Sequence, residues 1–287
     1  MFIDMHIHPD FYKPINNDEK LLEIRHESLN IHLNGLASLE HIFNQMDCAG
    51  IDKLCLLGGD YTMNHGVAVV SNEEIAKLVN LSPDRFIGFA SIDPNREDAE
   101  IELENAFKNL KLRGLKLNLS RLKMYPMDER LVPLYDLCLK YNKPVIFHCG
   151  VSLEPDCEIR YSKPLEFETL AQKYKDLRIC LAHFGWPWVQ DTAMLMLKFH
   201  NVYTDTALLY FDSAREFYKR VFTHDLAITW IDRSLRHQIM FGSNNPRFEQ
   251  IRMAKALDEL GLRESTLKLI KGENALVFLG EKEVAPW

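Results

Sequence analysis

The feature that most constrains this chain is an alternation. Short apolar runs of strand length are separated by amphipathic stretches of helix length, and the cycle repeats eight times. The strand-like runs are 2–8, 52–57, 85–92, 114–118, 144–148, 178–183, 202–206 and 237–241. Helical patterns fall at 39–49, 72–81, 97–110, 128–141, 164–174, 188–199, 213–231 and 247–260, with a last helix near 264–270. Some boundaries carry their own chemistry. Ser38 is placed to cap the first of these helices and Gly50 to end it. Ser71 and Glu74 have the spacing of a capping box. Residues 9–37 break the rhythm as a long loop with helical stretches, and loops of that length in a compact domain often act as lids.

Strand, helix and strand in strict succession imply parallel strands joined by right-handed crossovers. Eight units predict a closed (β/α)8 barrel, a TIM barrel; an open doubly wound sheet is the alternative the pattern leaves. The 287 residues suit a barrel as one domain, 1–287, and no break in composition divides them. A formal charge of −7 with no Lys/Arg-rich run argues against nucleic acid or an anionic membrane as partner. No apolar stretch is long enough to span a bilayer, and no basic, then apolar, leader opens the chain. The six cysteines form no CxxC pair, so a reduced, cytoplasmic protein is expected. No GxGxxG or GxxxxGK[ST] follows a strand, so a nucleotide cradle is not indicated.

The informative residues are polar ones at the ends of apolar strands. His6 and His8 lie two apart on the first strand, so alternation puts both imidazoles on one face, with Met5 and Ile7 facing an apolar layer. Asp4, one step deeper, is placed to orient a ligand. Lys116 lies near the end of the fourth strand, His148 ends the fifth, His183 ends the sixth, and Asn244 follows the eighth. In a barrel these positions converge on one mouth. One histidine at a strand end is usually a hydrogen-bonded structural residue, but four at C-terminal ends point to a metal site. Neutral imidazoles offer lone pairs, and three of them leave zinc an open position.

Several stretches together resemble the amidohydrolase superfamily, in its amidohydrolase-related branch, which includes aminocarboxymuconate-semialdehyde decarboxylase, resorcylate-type decarboxylases and hydrolases. They are the Asp-x-His-x-His of residues 4–8, Pro83 to Ala90 followed by Asp93-Pro94, Arg113 to Leu117, Pro144 to His148, Leu181 to Gly185, Phe241 to Pro246, and Gly272-Glu273-Asn274-Ala275. They occur in the branch's order and span nearly the whole chain. The resemblance implies His6, His8 and His148 as ligands of one divalent metal, zinc or alternatively manganese. It implies His183 as the histidine that activates water or polarises substrate. Lys116 has two readings, a carbamylated bridging ligand or a charged residue that orients a substrate carboxylate or simply forms an ion pair. The second is preferred, because the branch resembles the one-metal type. A homodimer is the assembly that analogy suggests.

Asn244 departs from the pattern, which has Asp there as ligand and often as proton acceptor. Its amide oxygen retains a weak ligand's role but takes no proton near neutral pH. Asn244 is therefore a candidate in both the metal and the catalytic set. For a small-molecule substrate, Tyr61, Lys116, Arg160 and Trp186 are the candidate contacts, with Asn118, Arg121, Tyr210 and Arg247 behind them. Arginines suit a carboxylate and aromatic residues an apolar body. His32 and His65 sit in loops that could reach a substrate. The expected activity is metal-dependent hydrolysis of an amide, ester or lactone by metal-activated water, with His183 as general acid and base. Nonoxidative decarboxylation of an aromatic or unsaturated acid is one alternative. A non-catalytic binding barrel, suggested by Asn244, is the other.

Overall fold

The computed structural model describes residues 1–207 and 213–283. Eight parallel strands follow one another in sequence order around a single sheet: β1 Ile3–Ile7, β2 Lys53–Leu57, β3 Phe86–Ser91, β4 Leu115–Leu117, β5 Val145–Phe147, β6 Ile179–Leu181, β7 Val202–Asp205 and β8 Ile239–Met240. Hydrogen bonds from Met5 N to Phe241 O (2.9 Å), from Asn244 N to His6 O (3.0 Å) and from His8 N to Asn245 O (2.8 Å) join the last strand region to the first. The TIM barrel expected from the alternation is the fold observed.

Thirteen α-helical segments are described: α1 Glu19–Leu29, α2 Leu39–Ala49, α3 Thr62–His65, α4 Asn72–Leu81, α5 Ala99–Lys108, α6 Leu119–Leu122, α7 Val132–Lys140, α8 Glu168–Lys173, α9 Val189–Lys198, α10 Ala214–Arg220, α11 Gln250–Asp258, α12 Glu264–Lys268 and α13 Asn274–Phe278. The caps read from sequence are in place. Ser38 accepts from His41 N, and Gly50 is left-handed after α2. Ser71 and Glu74 complete the capping box of α4. The expected single helix over 213–231 is broken. After α10 a wider turn spans Val221–Asp225, and Leu226 is extended. Thr223 Oγ1 donates back to Lys219 O at 2.6 Å, the kind of side-chain competition that loosens a helix.

The apolar residues divide into two layers. Ile7, Leu54, Leu56, Leu115 and Val145 pack with helix residues such as Met46, Leu78 and Leu134 between sheet and helices. Ile3, Met5, Cys55, Leu57, Phe89 and Ile146 fill the barrel itself, closed at the bottom by Ala275, Phe278 and Leu279 of the C-terminal segment.

Met5 and Ile7 thus lie in different layers, against the expectation that they share one. The pairing of β1 with β2 runs Ile3 to Lys53, Asp4 to Leu54, then Ile7 to Leu56. One extra residue in β1 makes a bulge, and a bulge re-aims the side chains around it. Asp4 accordingly does not reach an imidazole. Its Oδ1 accepts from His6 N (3.1 Å) and Ser243 N (3.0 Å), and its Oδ2 from Gln250 Nε2 (3.3 Å). It ties the backbone of β1 to the loop after β8.

The long segment after β1 is anchored rather than loose. Asp18 caps α1 and left-handed Asn30 ends it. From α1, the fully buried Arg25 donates to Val69 O (2.8 Å), Ile15 O (2.8 Å) and Asn16 Oδ1 (2.7 Å), and pairs through Nη2 with both oxygens of Glu74 at 2.7 Å. This pins the segment to α4 beside the barrel mouth.

Candidate metal and active site

At the C-terminal ends of the strands lies a cavity of about 730 Å³, counted with its open mouth. His8, Lys116, His148, His183 and Asn244 line it together, as the barrel reading requires. His6 lies just beneath, fully buried.

The four imidazoles meet in pairs. His6 Nε2 lies 3.2 Å from His8 Nε2, and His148 Nδ1 lies 3.1 Å from His183 Nε2. The rings of His6 and His183 are 4.6 Å apart. For His6 and His183 the tautomer follows from an outer partner. Asp205 Oδ2 lies 2.8 Å from His6 Nδ1, so that nitrogen carries the proton and Nε2 faces inward bare. Ala207 O lies 2.7 Å from His183 Nδ1, so His183 likewise turns a bare Nε2 to the cavity. His148 Nε2 is buried with no hydrogen-bond partner among the described residues. Burial lowers the pKa of all four well below the ordinary histidine value. The Lys116 charge adds to this at each, together with the other imidazoles at His8, His148 and His183. They stay neutral at pH 7 and keep their lone pairs.

These residues fit a divalent metal. Two nitrogens on one tetrahedral zinc, each about 2.0–2.1 Å from it, sit about 3.3 Å apart, close to the 3.2 Å between His6 Nε2 and His8 Nε2. Ligand atoms of His6, His183 and Asp205 also fall within 4.8 Å of one another. Both Asp205 oxygens are already engaged. Oδ2 takes His6 Nδ1–H, and Oδ1 takes the backbone amides of His183 (2.8 Å) and Ala207 (3.1 Å). That is the geometry of a carboxylate that orients ligands rather than serving as one. Sequence reasoning missed Asp205 and gave the orienting role to Asp4. The available signal was a carboxylate within the seventh strand, at a position that strand pairing buries completely.

His183 opens a run of three left-handed residues, with φ of 61° at His183, 52° at Phe184 and 61° at Gly185. The first two are costly for residues with a Cβ. The Asp205 bond to His183 N holds the turn that swings the imidazole over the barrel axis. Asn244 is left-handed too (φ 63°), which asparagine tolerates better than most residues.

Lys116 is 3% exposed and its Nζ has no hydrogen-bond partner among the described residues. Burial pulls its pKa down to about 8, opposed by the charge of Asp205. Tyr61 lines the cavity with the Arg121 guanidinium 4.8 Å over its ring. Asn118 and Arg247 line it as well.

Arg160 and Trp186 do not line this cavity. Arg160 is 60% exposed, ion-paired with Glu158 and stacked on Tyr161. Trp186 packs its ring on Phe217, 5.4 Å between centroids, and borders a separate surface depression. Neither is therefore placed as the substrate contact expected of it; Tyr61 supplies the aromatic wall. His32 and His65 are also outside the lining, and Tyr210 lies outside the described residues.

The family model for amidohydrolases matches residues 3–280. Among curated proteins, none matches this sequence. Many solved structures superpose on the chain, among them the following three, over nearly its whole length. An uncharacterized TIM-barrel protein from Bordetella bronchiseptica does so with a TM-score of 0.76 at 22% identity, covering 98% of each chain. The 5-carboxyvanillate decarboxylase of Sphingomonas paucimobilis gives 0.66 at 16% identity, covering 97% of this chain and 98% of its own. The 4-oxalomesaconate hydratase of Rhodopseudomonas palustris gives 0.66 at 18% identity, covering 98% and 96%. At these identities the likeness is one of fold. No helix among the described residues is long and apolar enough to cross a membrane.

Proposed function

The chain belongs to the amidohydrolase family, and from that premise we propose that it is a metal-dependent hydrolase of a small carboxylated molecule with an amide, ester or lactone bond. The family is one of enzymes, which sets aside a non-catalytic barrel. His6, His8 and His148 would hold one divalent ion, zinc by the imidazole donor set and manganese as the alternative, with the Asn244 side chain as a neutral fourth neighbour. The ion, when bound, supplies Lewis acidity and a lowered pKa for water.

The rest falls to the chain's own side chains. His183 Nε2 takes the proton of the attacking water and returns it to the leaving nitrogen or oxygen. The observation that carries this role is the 2.7 Å bond from His183 Nδ1 to Ala207 O, which leaves Nε2 unprotonated, beside His148 Nδ1 at 3.1 Å, in a ring that lines the cavity. Asn244 takes no proton, so His183 acts alone. Lys116 binds the substrate carboxylate, for which its buried, unpaired ammonium is suited. Four of the six thiols are buried and all are free, which supports a reducing, cytoplasmic setting.

Two residues favour a second reading. The unpaired Lys116 and the neutral Asn244 also suit nonoxidative decarboxylation, where a carboxylate must be held and no carboxylate base activates water. The test begins with elemental mass spectrometry of protein purified without added metal, beside Asn244→Asp. A bound ion in the wild type supports the three-histidine site. Metal in Asn244→Asp alone would overturn it. Screens for hydrolysis and for carbon dioxide release from aromatic and unsaturated acids then separate the two chemistries. His183→Ala should lose most turnover, with the alkaline and acid limbs of its pH profile altered, and keep its metal. Retained turnover would remove His183 from the mechanism.

A further inference from the structure

We propose that Arg247 is the second anchor of a dicarboxylate substrate, and that Glu154 occupies this anchor until the substrate displaces it. The proposal rests on Lys116 as the first anchor. It starts from charge. The chain carries −7 overall, yet the cavity wall holds Lys116, Arg121 and Arg247 against Asp10 and Glu154. An acidic protein has gathered cations at one place, which favours an anionic ligand.

The two arginines differ in how firmly they are committed. Arg121 is 3% exposed. It donates to the hydroxyl of Ser28, to Ser28 O (2.5 Å) and to Asp156 Oδ1 (3.3 Å), and it lies on Tyr61. The side chain of Arg247 makes its hydrogen bonds among the described residues through Nη2 alone, to Leu29 O and to Glu154 Oε1 at 2.8 Å. Both members of the Arg247–Glu154 pair line the cavity, and they are 14% and 13% exposed. Glu154 sits in a stretch, 151–158, without helix or strand, where its other oxygen meets the Ser152 hydroxyl.

A carboxylate of the ligand that replaces Glu154 leaves Arg247 paired, so no buried cation is stranded by the exchange. The guanidinium fork, now used on one nitrogen, can take the incoming group bidentately. Lys116, His8 and Arg247 line the same cavity, so both anchors face the space next to that imidazole. Leu57, Tyr61, Val69 and Val70 form an apolar wall, which suits an unsaturated or aromatic body between the two carboxylates.

The test is titration calorimetry of the whole protein with two matched pairs, isophthalate against benzoate and glutarate against butyrate. The flexible pair removes any dependence on one spacing. The wild type should prefer the diacid in at least one pair. Glu154→Gln, which keeps the shape of the side chain but not its charge, should widen that preference about tenfold by strengthening diacid binding alone. Arg247→Gln, checked for folding by thermal melt, should abolish the preference. An unchanged diacid-to-monoacid ratio in Glu154→Gln, or no diacid preference in either pair, would overturn the proposal. Lys116→Met separates the two readings. If it leaves monoacid binding intact, Lys116 is not the first anchor, while the response to Glu154→Gln still reports on Arg247. Neither readout depends on turnover.

Discussion

Asp205→Asn should flip the tautomer of His6 and weaken metal binding while leaving the fold standing. In the wild type Asp205 accepts three hydrogen bonds, from His6 Nδ1 and from the amides of His183 and Ala207. Removing the side chain, as in Asp205→Ala, strands three buried donors. At about 1–3 kcal/mol each, with partial relief from deleting a buried charge, the loss is about 3–6 kcal/mol, a large share of a typical domain's stability. Asparagine separates the effects. Its oxygen can still accept from both amides, so the stability cost should stay near 1 kcal/mol. Its NH2 must then face His6 Nδ1, and two donors cannot pair. His6 relieves this by moving its proton to Nε2, the nitrogen that faces His8, and so loses the lone pair a metal needs. Loss of such an orienting partner typically costs about 10–100-fold in metal affinity. Zinc titration against a competing chelator measures that cost, and long-range nitrogen–proton NMR of the metal-free protein reads the tautomer directly. If Asp205→Asn binds zinc within about twofold of wild type, or keeps the Nδ1–H form of His6, the carboxylate does not set the ligand's orientation.

Three further outcomes follow from the packing and the charges. Lys116 has a folded pKa of about 8 against an ordinary 10.5, so below pH 8 the folded state bears the cost of a buried ammonium. Through the window from about 8 upward to the unfolded value, the unfolded chain binds more protons and stability rises with pH. Lys116→Met should therefore stabilise metal-free protein at pH 7 by about 3 kcal/mol, a gain that shrinks above pH 8 in urea titrations; a pH-independent difference would contradict it. Arg25→Met should cost about 3 kcal/mol, because it strands Glu74 and two backbone carbonyls in a buried site, and protease should then cut first in the segment after β1. Gly114→Ala should cost about 1–3 kcal/mol by overpacking, since a Cβ there runs into the ring of Phe89 inside the barrel. Denaturant melts check both substitutions.

The frame of the barrel was legible because its signals are local. All eight strands lie within the apolar runs, and α2 and α4 begin and end on the expected residues since Ser38, Gly50 and Ser71 act on neighbours a few positions away. The long helical pattern over 213–231 failed for the opposite reason: periodicity reports which face is apolar and is silent on a threonine that bonds back to the turn before it. Arg160 and Trp186 were placed by loop membership alone. A loop after a strand has two sides, and only one of them faces the axis.

The candidate site divides along the same line. The four histidines could be found because each ends a strand, and in a barrel strand ends share one rim. Which atoms of those rings face each other is decided by contacts between distant parts of the chain. His6 takes its tautomer from Asp205, 199 positions away, and His183 takes its own from Ala207, 24 positions on. The bulge in β1 is equally non-local, because it exists only relative to the register of β2. Without it, period-two alternation would keep Asp4 on the face of His6. With it, Asp4 is released to bind the loop that carries Asn244, and the place beside His6 is open to Asp205. One extra residue in the first strand therefore decides which carboxylate orients the histidines, and a sequence pattern that assumes strict alternation selects the wrong one.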